Sequence, residues 1–205
     1  MMADEAYSLI LNAGSSSIKA ALYRQVESRY VLAVEVSVDK IGTPHAVLHS
    51  RNGELAESVT HVIVAETTSQ AVDIIIEWAT RTTKDNKILA VAHRIVHGGT
   101  RFKGPELLTD GAIDELRALV ELDPDHLPIA LMLIEKITLA LPNVPQIACF
   151  DTALYAELPR VAQQVAIPRK YEAMGVRRYG FHGLSYEYLL GYMRKTCGEA
   201  AANGR

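Results

Sequence analysis

The chain has 205 residues, 49% hydrophobic and 22% charged, which is enough apolar material for a packed core in one large or two small domains. Its net charge of −3 offers no basic face for nucleic acid and no polybasic anchor for a membrane. The opening residues Met1-Met2-Ala3-Asp4-Glu5 are acidic and unlike a signal peptide, and no run approaches the roughly 18 apolar residues of a spanning helix. Two cysteines, Cys149 and Cys197, form neither a disulfide framework nor a metal spacing, which suits a reducing, cytoplasmic compartment.

Ser8 to Gly14 lead into a Gly/Ser turn and alternation resumes at Ile18, so two antiparallel strands are expected with Gly14 to Ser17 at the tip. That tip gathers backbone N–H groups, three hydroxyls and the Lys19 ammonium, an arrangement that suits an anion such as phosphate. A solvated Ser-rich hairpin is the alternative. The spacing of a Walker A loop is missing.

A third strand is expected over Val31 to Val38, then a hairpin of His45 to Ser50 and Val59 to Val64 around Asn52-Gly53. Thr67 and Gln70 have capping-box spacing before a helix whose Ala71, Ile74, Ile75 and Trp78 share a face. Ile88 to Val96 reads as a buried strand. Thr109 is placed to cap a helix carrying Ile113, Leu116 and Val120, and Pro128 to start one carrying Leu131, Ile134 and Ile137. Gln146 to Phe150 reads as a short strand ending on Asp151, with Cys149 a buried, inert thiol in preference to a nucleophile. Ser185 is expected to cap a last helix carrying Leu184, Tyr188, Leu189 and Tyr192, stopped by Gly198. This order predicts an α/β fold, a mixed sheet with helices on its faces.

Four polar clusters fall where these strands end. In His93-Arg94-Ile95-Val96-His97-Gly98-Gly99 the two histidines are four apart, a zinc spacing on a helix but not on a strand. Arg94 sits among apolar neighbours and needs a carboxylate, a phosphate or another anion, so an anion site and a structural ion pair both remain open. Asp123-Pro124-Asp125-His126-Leu127-Pro128 is a loop between helices, where a solvated His126 is the default reading. Asp151 is either a magnesium ligand at a strand's carboxyl end or the N-cap of Thr152 to Glu157. In Arg177-Arg178-Tyr179-Gly180-Phe181-His182-Gly183-Leu184-Ser185 the glycines admit a substrate to the backbone and His182 can donate to a phosphoryl oxygen.

Together, Asn12-Ala13-Gly14-Ser15-Ser16-Ser17-x-Lys19, the His93 to Gly99 run, Phe150-Asp151-Thr152-Ala153 and Arg178 to Ser185 resemble, in order and spacing, the acetate kinases. The resemblance runs from about Ser8 to Gly198. It implies the ribonuclease-H-like fold of the actin, Hsp70 and sugar-kinase type over residues 1–205, and phosphoryl transfer between ATP and acetate to give acetyl phosphate and ADP. It further implies that Asn12, Ser15, Ser17 and Lys19 bind phosphate, and that Asp151 holds magnesium or its waters. Arg94 would steady the carboxylate and the transferring group, His126 and His182 would face the equatorial oxygens, and Val96 and Phe181 would line the methyl pocket. A homodimer is implied for a full-length form.

Two departures stand out. Where the family pattern has Ala-Pro-Leu-His-Asn-Pro, this chain has Asp123-Pro124-Asp125-His126-Leu127-Pro128, which brings the Asp125 carboxylate to the acyl pocket and opens the choice to propionate, butyrate or a substituted acid. Family members are also roughly twice as long, and this chain stops at Asn203-Gly204-Arg205, before a second Gly-rich phosphate loop. The expectation is an N-terminal half without the nucleotide-binding domain, inactive alone, or a non-catalytic half that binds an anion or a partner.

Overall fold

The computed structural model describes residues 6–53, 55, 57–83 and 87–203. The acidic leader Met1 to Glu5 and the final Gly204-Arg205, both weighed above, lie outside them. The chain divides into two compact units: residues 1–95 with 106–148, and residues 96–105 with 149–205.

In the first unit the strands β1 (Ala6–Ala13), β2 (Ser17–Val26), β3 (Arg29–Asp39), β4 (Val47–Asn52) and β5 (Ser58–Val62) form an antiparallel meander. Helix α1 (Thr68–Thr83) then carries the chain to β6 (Lys87–Ile95), which pairs with β1 in parallel, as a crossover helix allows. The sheet is completed by β7 (Glu106–Leu107) and β8 (Gln146–Phe150) in the order β5-β4-β3-β2-β1-β6-β8-β7. Helices α2 (Asp110–Ala118) and α3 (Leu127–Ala140) separate those last two strands in sequence.

Alternation decides the faces. Leu9 and Leu11 of β1, Ile18 and Leu22 of β2, and Val36 and Val38 of β3 turn inward to one core. Ala71, Val72, Ile75 and Ala79 of α1 and Leu133 and Ile137 of α3 pack into the same core. Burying one such Leu or Ile contributes roughly 1.5–3 kcal/mol, so this core holds the helices against the sheet. The inward line of α1 is centred on Ala71, Val72 and Ile75, leaving Ile74 and Trp78 only half buried at its flank, because the small alanines admit the closest approach to the strands.

The expected caps are largely present. The Thr67 hydroxyl accepts from the Gln70 N–H at 3.2 Å while Gln70 Oε1 accepts from the Thr67 N–H at 3.2 Å, a reciprocal capping box. Thr109 Oγ1 accepts from the Ala112 N–H at 3.3 Å and opens α2. That helix ends at Ala118, so Val120 falls instead in a 3-10 turn over Val120–Leu122.

In the second unit a 3-10 turn (Ala153–Tyr155), α4 (Arg160–Gln163), α5 (Arg169–Ala173), α6 (Gly183–Cys197) and α7 (Glu199–Ala202) follow β8. The small core centres on Phe102 stacked on Phe150 at 4.6 Å between centroids. Glu172 of α5 binds Arg160 Nε at 2.7 Å and Arg169 Nη1 at 3.0 Å, and accepts from Gln164, which pushes its carboxyl down to about 2.

Helix α6 starts two residues before the expected cap. Its N-cap is His182, not Ser185, and His182 makes no side-chain cap. The Gly183 N–H donates to the Asp151 carbonyl at 2.8 Å, which fixes the helix start to the strand end. Gly198 does end it, while Tyr188, Leu189 and Tyr192, expected on a packed face, are exposed.

Candidate active site

The hairpin tip takes the expected shape: the Gly14 N–H donates to the Ser17 carbonyl at 2.8 Å and closes the β1–β2 turn. Ser15 is exposed there and Ser17 half buried. Asn12 and Lys19 face each other across the two strands, so an amide and an ammonium flank the hydroxyl-rich turn. Both border a groove of about 550 Å³ on the same side of the sheet, with Ser37, His49, Arg51 and Thr60. Lys19 supplies a cation to this otherwise mixed lining, which also holds Ile10, Val36 and the Glu35 carboxylate, and Glu35 already holds Arg51 at 2.7 Å.

Neighbouring residues of β6 have opposite fates. His93 turns into the core, 2% exposed, and shares a 2.7 Å hydrogen bond with Gln146 Oε1. Gln146 Nε2 donates to Thr138 Oγ1 at 2.7 Å and to the Ile134 carbonyl at 3.3 Å, so its oxygen accepts and His93 carries its proton on Nε2. Burial pushes this imidazole down to about 4, leaving it neutral, with Nδ1 buried and without a hydrogen-bond partner. Arg94, one residue on, lies on the opposite face and donates from Nη1 to Asn12 Oδ1 at 3.1 Å. Arg94 is thereby joined to β1 three residues before Ser15, across the parallel β1–β6 pair.

Asp125 is exposed in the loop before α3. His126 is not a freely solvated loop residue: its Nδ1 lies 2.7 Å from Oδ1 of the buried Asp123. Sequence reasoning passed over Asp123; the signal was a carboxylate three residues before a histidine.

In the second unit, the strand β8 runs out through Cys149 and Phe150 to Asp151, which is 1% exposed. Asp151 is not the N-cap of the following turn, because Thr152 holds that place. Thr152 Oγ1 accepts from the Gly98 N–H at 3.0 Å, tying the Gly-Gly segment to the strand end. Glycine is needed at 98, since a Cβ would stand 2.9 Å from the Phe150 ring. His97 is buried, its Nδ1 accepting from the Gly99 N–H at 2.9 Å, and its ring meets Tyr179 at 4.5 Å and Phe181 at 5.6 Å. Phe181 is thus braced by His97 while keeping an exposed edge, and Val96 is half buried.

His182 Nδ1 lies 4.0 Å from Asp151 Oδ2, with the imidazole mostly exposed and the carboxylate enclosed. The backbone at His182 is left-handed, φ +59°, a conformation that costs a non-glycine residue about 1 kcal/mol. Gly183 imposes it: a Cβ there would stand 2.4 Å from the Asp151 carbonyl oxygen, so only glycine lets the chain press against the strand end and present His182 beside Asp151.

Among the described residues no three His, Cys, Asp or Glu side chains gather to hold a metal. Magnesium asks less. It binds through one or two carboxylates, with waters and substrate phosphates filling the octahedron, and Asp151 has the oxygen chemistry for it. Cys149 is half buried and not enclosed as expected, because its side chain falls on the outer face of β8; its thiol is pushed up by that burial and by the Glu187 carboxylate. No helix of the described residues is long and apolar enough to cross a membrane.

Residues 7–204 match the acetokinase family. An acetate kinase of Rhodopseudomonas palustris is 42% identical over 200 residues, covering 96% of this chain and 50% of that protein. An acetate kinase of Deinococcus radiodurans is 36% identical over 186 residues, covering 90% of this chain and 46% of that protein. Among solved structures, Porphyromonas gingivalis acetate kinase superposes with a TM-score of 0.81 at 30% identity, over 94% of this chain and 49% of that one. A Francisella tularensis propionate kinase gives the same TM-score at 26% identity, over 94% and 49% of the two chains. This agrees with the ribonuclease-H-like mixed sheet expected from the resemblance. The chain spans about half the length of the curated relatives it matches. It belongs to the acetokinase family.

Proposed function

We propose that these residues form the acyl-phosphate side of a kinase that moves a phosphoryl group between ATP and acetate. The observation that carries the reading is the Arg94 to Asn12 hydrogen bond, which ties a guanidinium to the strand leading into the Gly14 to Ser17 turn. In the forward direction an acetate carboxylate oxygen bonds to the γ-phosphorus as the bond to the bridging oxygen breaks, and ADP leaves with that electron pair. No proton has to be transferred and no covalent catalyst is needed, so the residues act by positioning and by neutralising charge spread over the phosphoryl oxygens.

In this reading Asn12, Ser15, Ser17 and Lys19 hold a phosphate, and Arg94 steadies the acetate carboxylate and the transferring group. His126 and His182 donate to equatorial oxygens. Val96 and Phe181 line the methyl pocket, and the exposed Asp125 is assigned to the choice of acyl group. Magnesium, held by Asp151 directly or through water, supplies further charge neutralisation on the phosphates. Because the chain spans half of its relatives, the nucleotide side and the dimer contacts are assigned to residues outside it, and residues 1–205 to the N-terminal half.

The test is acetyl phosphate titrated into the nitrogen-15-labelled chain. Saturable shifts at the Gly14 to Ser17 amides and at Arg94, lost in Lys19→Ala, are expected. Absence of any saturable shift at millimolar ligand overturns the site. The chain alone should yield no hydroxylamine-trapped acyl phosphate, and turnover on the order of 1–100 s⁻¹ overturns the division between halves. Propionate is a second candidate, favoured by the likeness to the Francisella propionate kinase, and propionyl phosphate binding as tightly as acetyl phosphate would select it.

A further inference from the structure

The Asp123 carboxylate lies at the end of the 3-10 turn, its side chain only 9% exposed, beneath a histidine that the reading above brings to the transferring group. His126 Nδ1 is 2.7 Å from its Oδ1. An ionised carboxylate can only accept, so the proton between them belongs to Nδ1, and the ring turns its Nε2 away from the carboxylate.

The backbone makes this geometry stiff. The Asp123 N–H donates to the Val120 carbonyl at 3.2 Å and the Asp123 carbonyl accepts from the Leu127 N–H at 3.1 Å. The His126 carbonyl accepts from the Ala130 N–H at 3.0 Å, in the first turn of α3, and Pro124 and Pro128 restrict the chain between and after. Asp123 Oδ2 is buried with no hydrogen-bond partner. A buried carboxylate with one oxygen unsatisfied is costly, so its stabilisation depends on the imidazole at the other oxygen.

We infer that Asp123 is a positioning residue: it fixes the ring plane and tautomer of His126, so that Nε2 is the atom presented to a phosphoryl oxygen. With a proton taken from solvent at Nε2, the ring is an imidazolium that donates from both nitrogens, Nδ1 to Asp123 and Nε2 to the phosphoryl oxygen, and the Asp123 carboxylate balances its charge. Asp125, the other carboxylate of the loop, is exposed. The inference rests on the proposed function only for what Nε2 meets, not for the Asp123–His126 pair.

The experiment is nitrogen-15 spectroscopy of the histidine rings in the 205-residue chain at about pH 8, well above the ordinary imidazole range. His126 is expected to carry its proton on Nδ1. Asp123→Ala, which removes the acceptor, should move the proton to Nε2, and Asp123→Asn, whose amide oxygen can accept the same bond, should keep it on Nδ1. A wild-type ring protonated on Nε2, or an Asp123→Ala ring still protonated on Nδ1, overturns the inference; the wild-type reading needs no variant to fold. Acetyl phosphate is then added. A shift at Nε2 is expected, and an Nδ1-protonated ring whose Nε2 ignores acetyl phosphate would reject the placement of His126 at the transferring group while leaving the role of Asp123 intact.

Discussion

Acid should weaken the first unit through one residue, His93. Its imidazole is 2% exposed and pushed from its ordinary 6.5 down to about 4, chiefly by burial, with the Gln146 hydrogen bond opposing. Above about pH 6.5 neither the folded nor the unfolded chain holds the extra proton. Between about 6.5 and 4 the unfolded chain holds it and the folded chain does not, so stability falls as pH falls, by about 1.4 kcal/mol per pH unit. Over that gap of about two and a half pH units the loss comes to about 3 kcal/mol, a large share of an ordinary domain's 5–15 kcal/mol. The single tryptophan, Trp78 on α1, belongs to the same unit and reports its unfolding. Urea titrations followed by its fluorescence, at steps from about pH 7.5 to 4.5, should be run on wild type and His93→Gln. All other titrating groups are shared, so the difference between the two curves isolates His93. It should shrink by about 2–3 kcal/mol in favour of the variant between about pH 7.5 and 4.5; a change below about 1 kcal/mol refutes the argument.

Three further outcomes are expected. Arg94→Ala should weaken acetyl phosphate binding by about tenfold or more, because a charge-assisted contact is lost, while the thermal midpoint moves little; a large fall in midpoint with unchanged affinity would make Arg94 a structural residue. Gly183→Ala should cost about 2 kcal/mol or more and broaden the His182 and Asp151 resonances, since its Cβ would meet the Asp151 carbonyl oxygen; a wild-type midpoint would contradict the close approach. Glu172, held low at about 2 by Arg160, Gln164 and Arg169, stabilises the α4–α5 region at pH values above its ordinary 4.5, and that support is lost as pH falls through about 2. Glu172→Gln should therefore lower amide protection there at pH 7 and make no difference near pH 2, and equal protection at pH 7 would remove its role.

Local chemistry alone determined much of this protein. Period-two alternation in β1, β2 and β3, the Thr67/Gln70 and Thr109 caps, Pro128 at the start of α3 and Gly198 at the end of α6 depend on neighbours a few residues apart, and each stands where the sequence puts it. The four motifs, in series, also reached the family. The fate of His93 and Arg94 was decided otherwise. They are adjacent on one strand, and only the packing of α3 and Gln146 on one face, and of β1 on the edge, makes the first a neutral core residue and the second a partner of Asn12. The start of α6 likewise escaped local reasoning. Ser185 is the better intrinsic cap, but the contact of Gly183 with the Asp151 carbonyl spans more than thirty residues of chain and outweighs it. Asp123 was passed over for the same reason: a carboxylate three residues before a histidine is only a hint, and it becomes the hydrogen-bond acceptor once the backbone of the 3-10 turn and α3 buries it and brings the two within 2.7 Å.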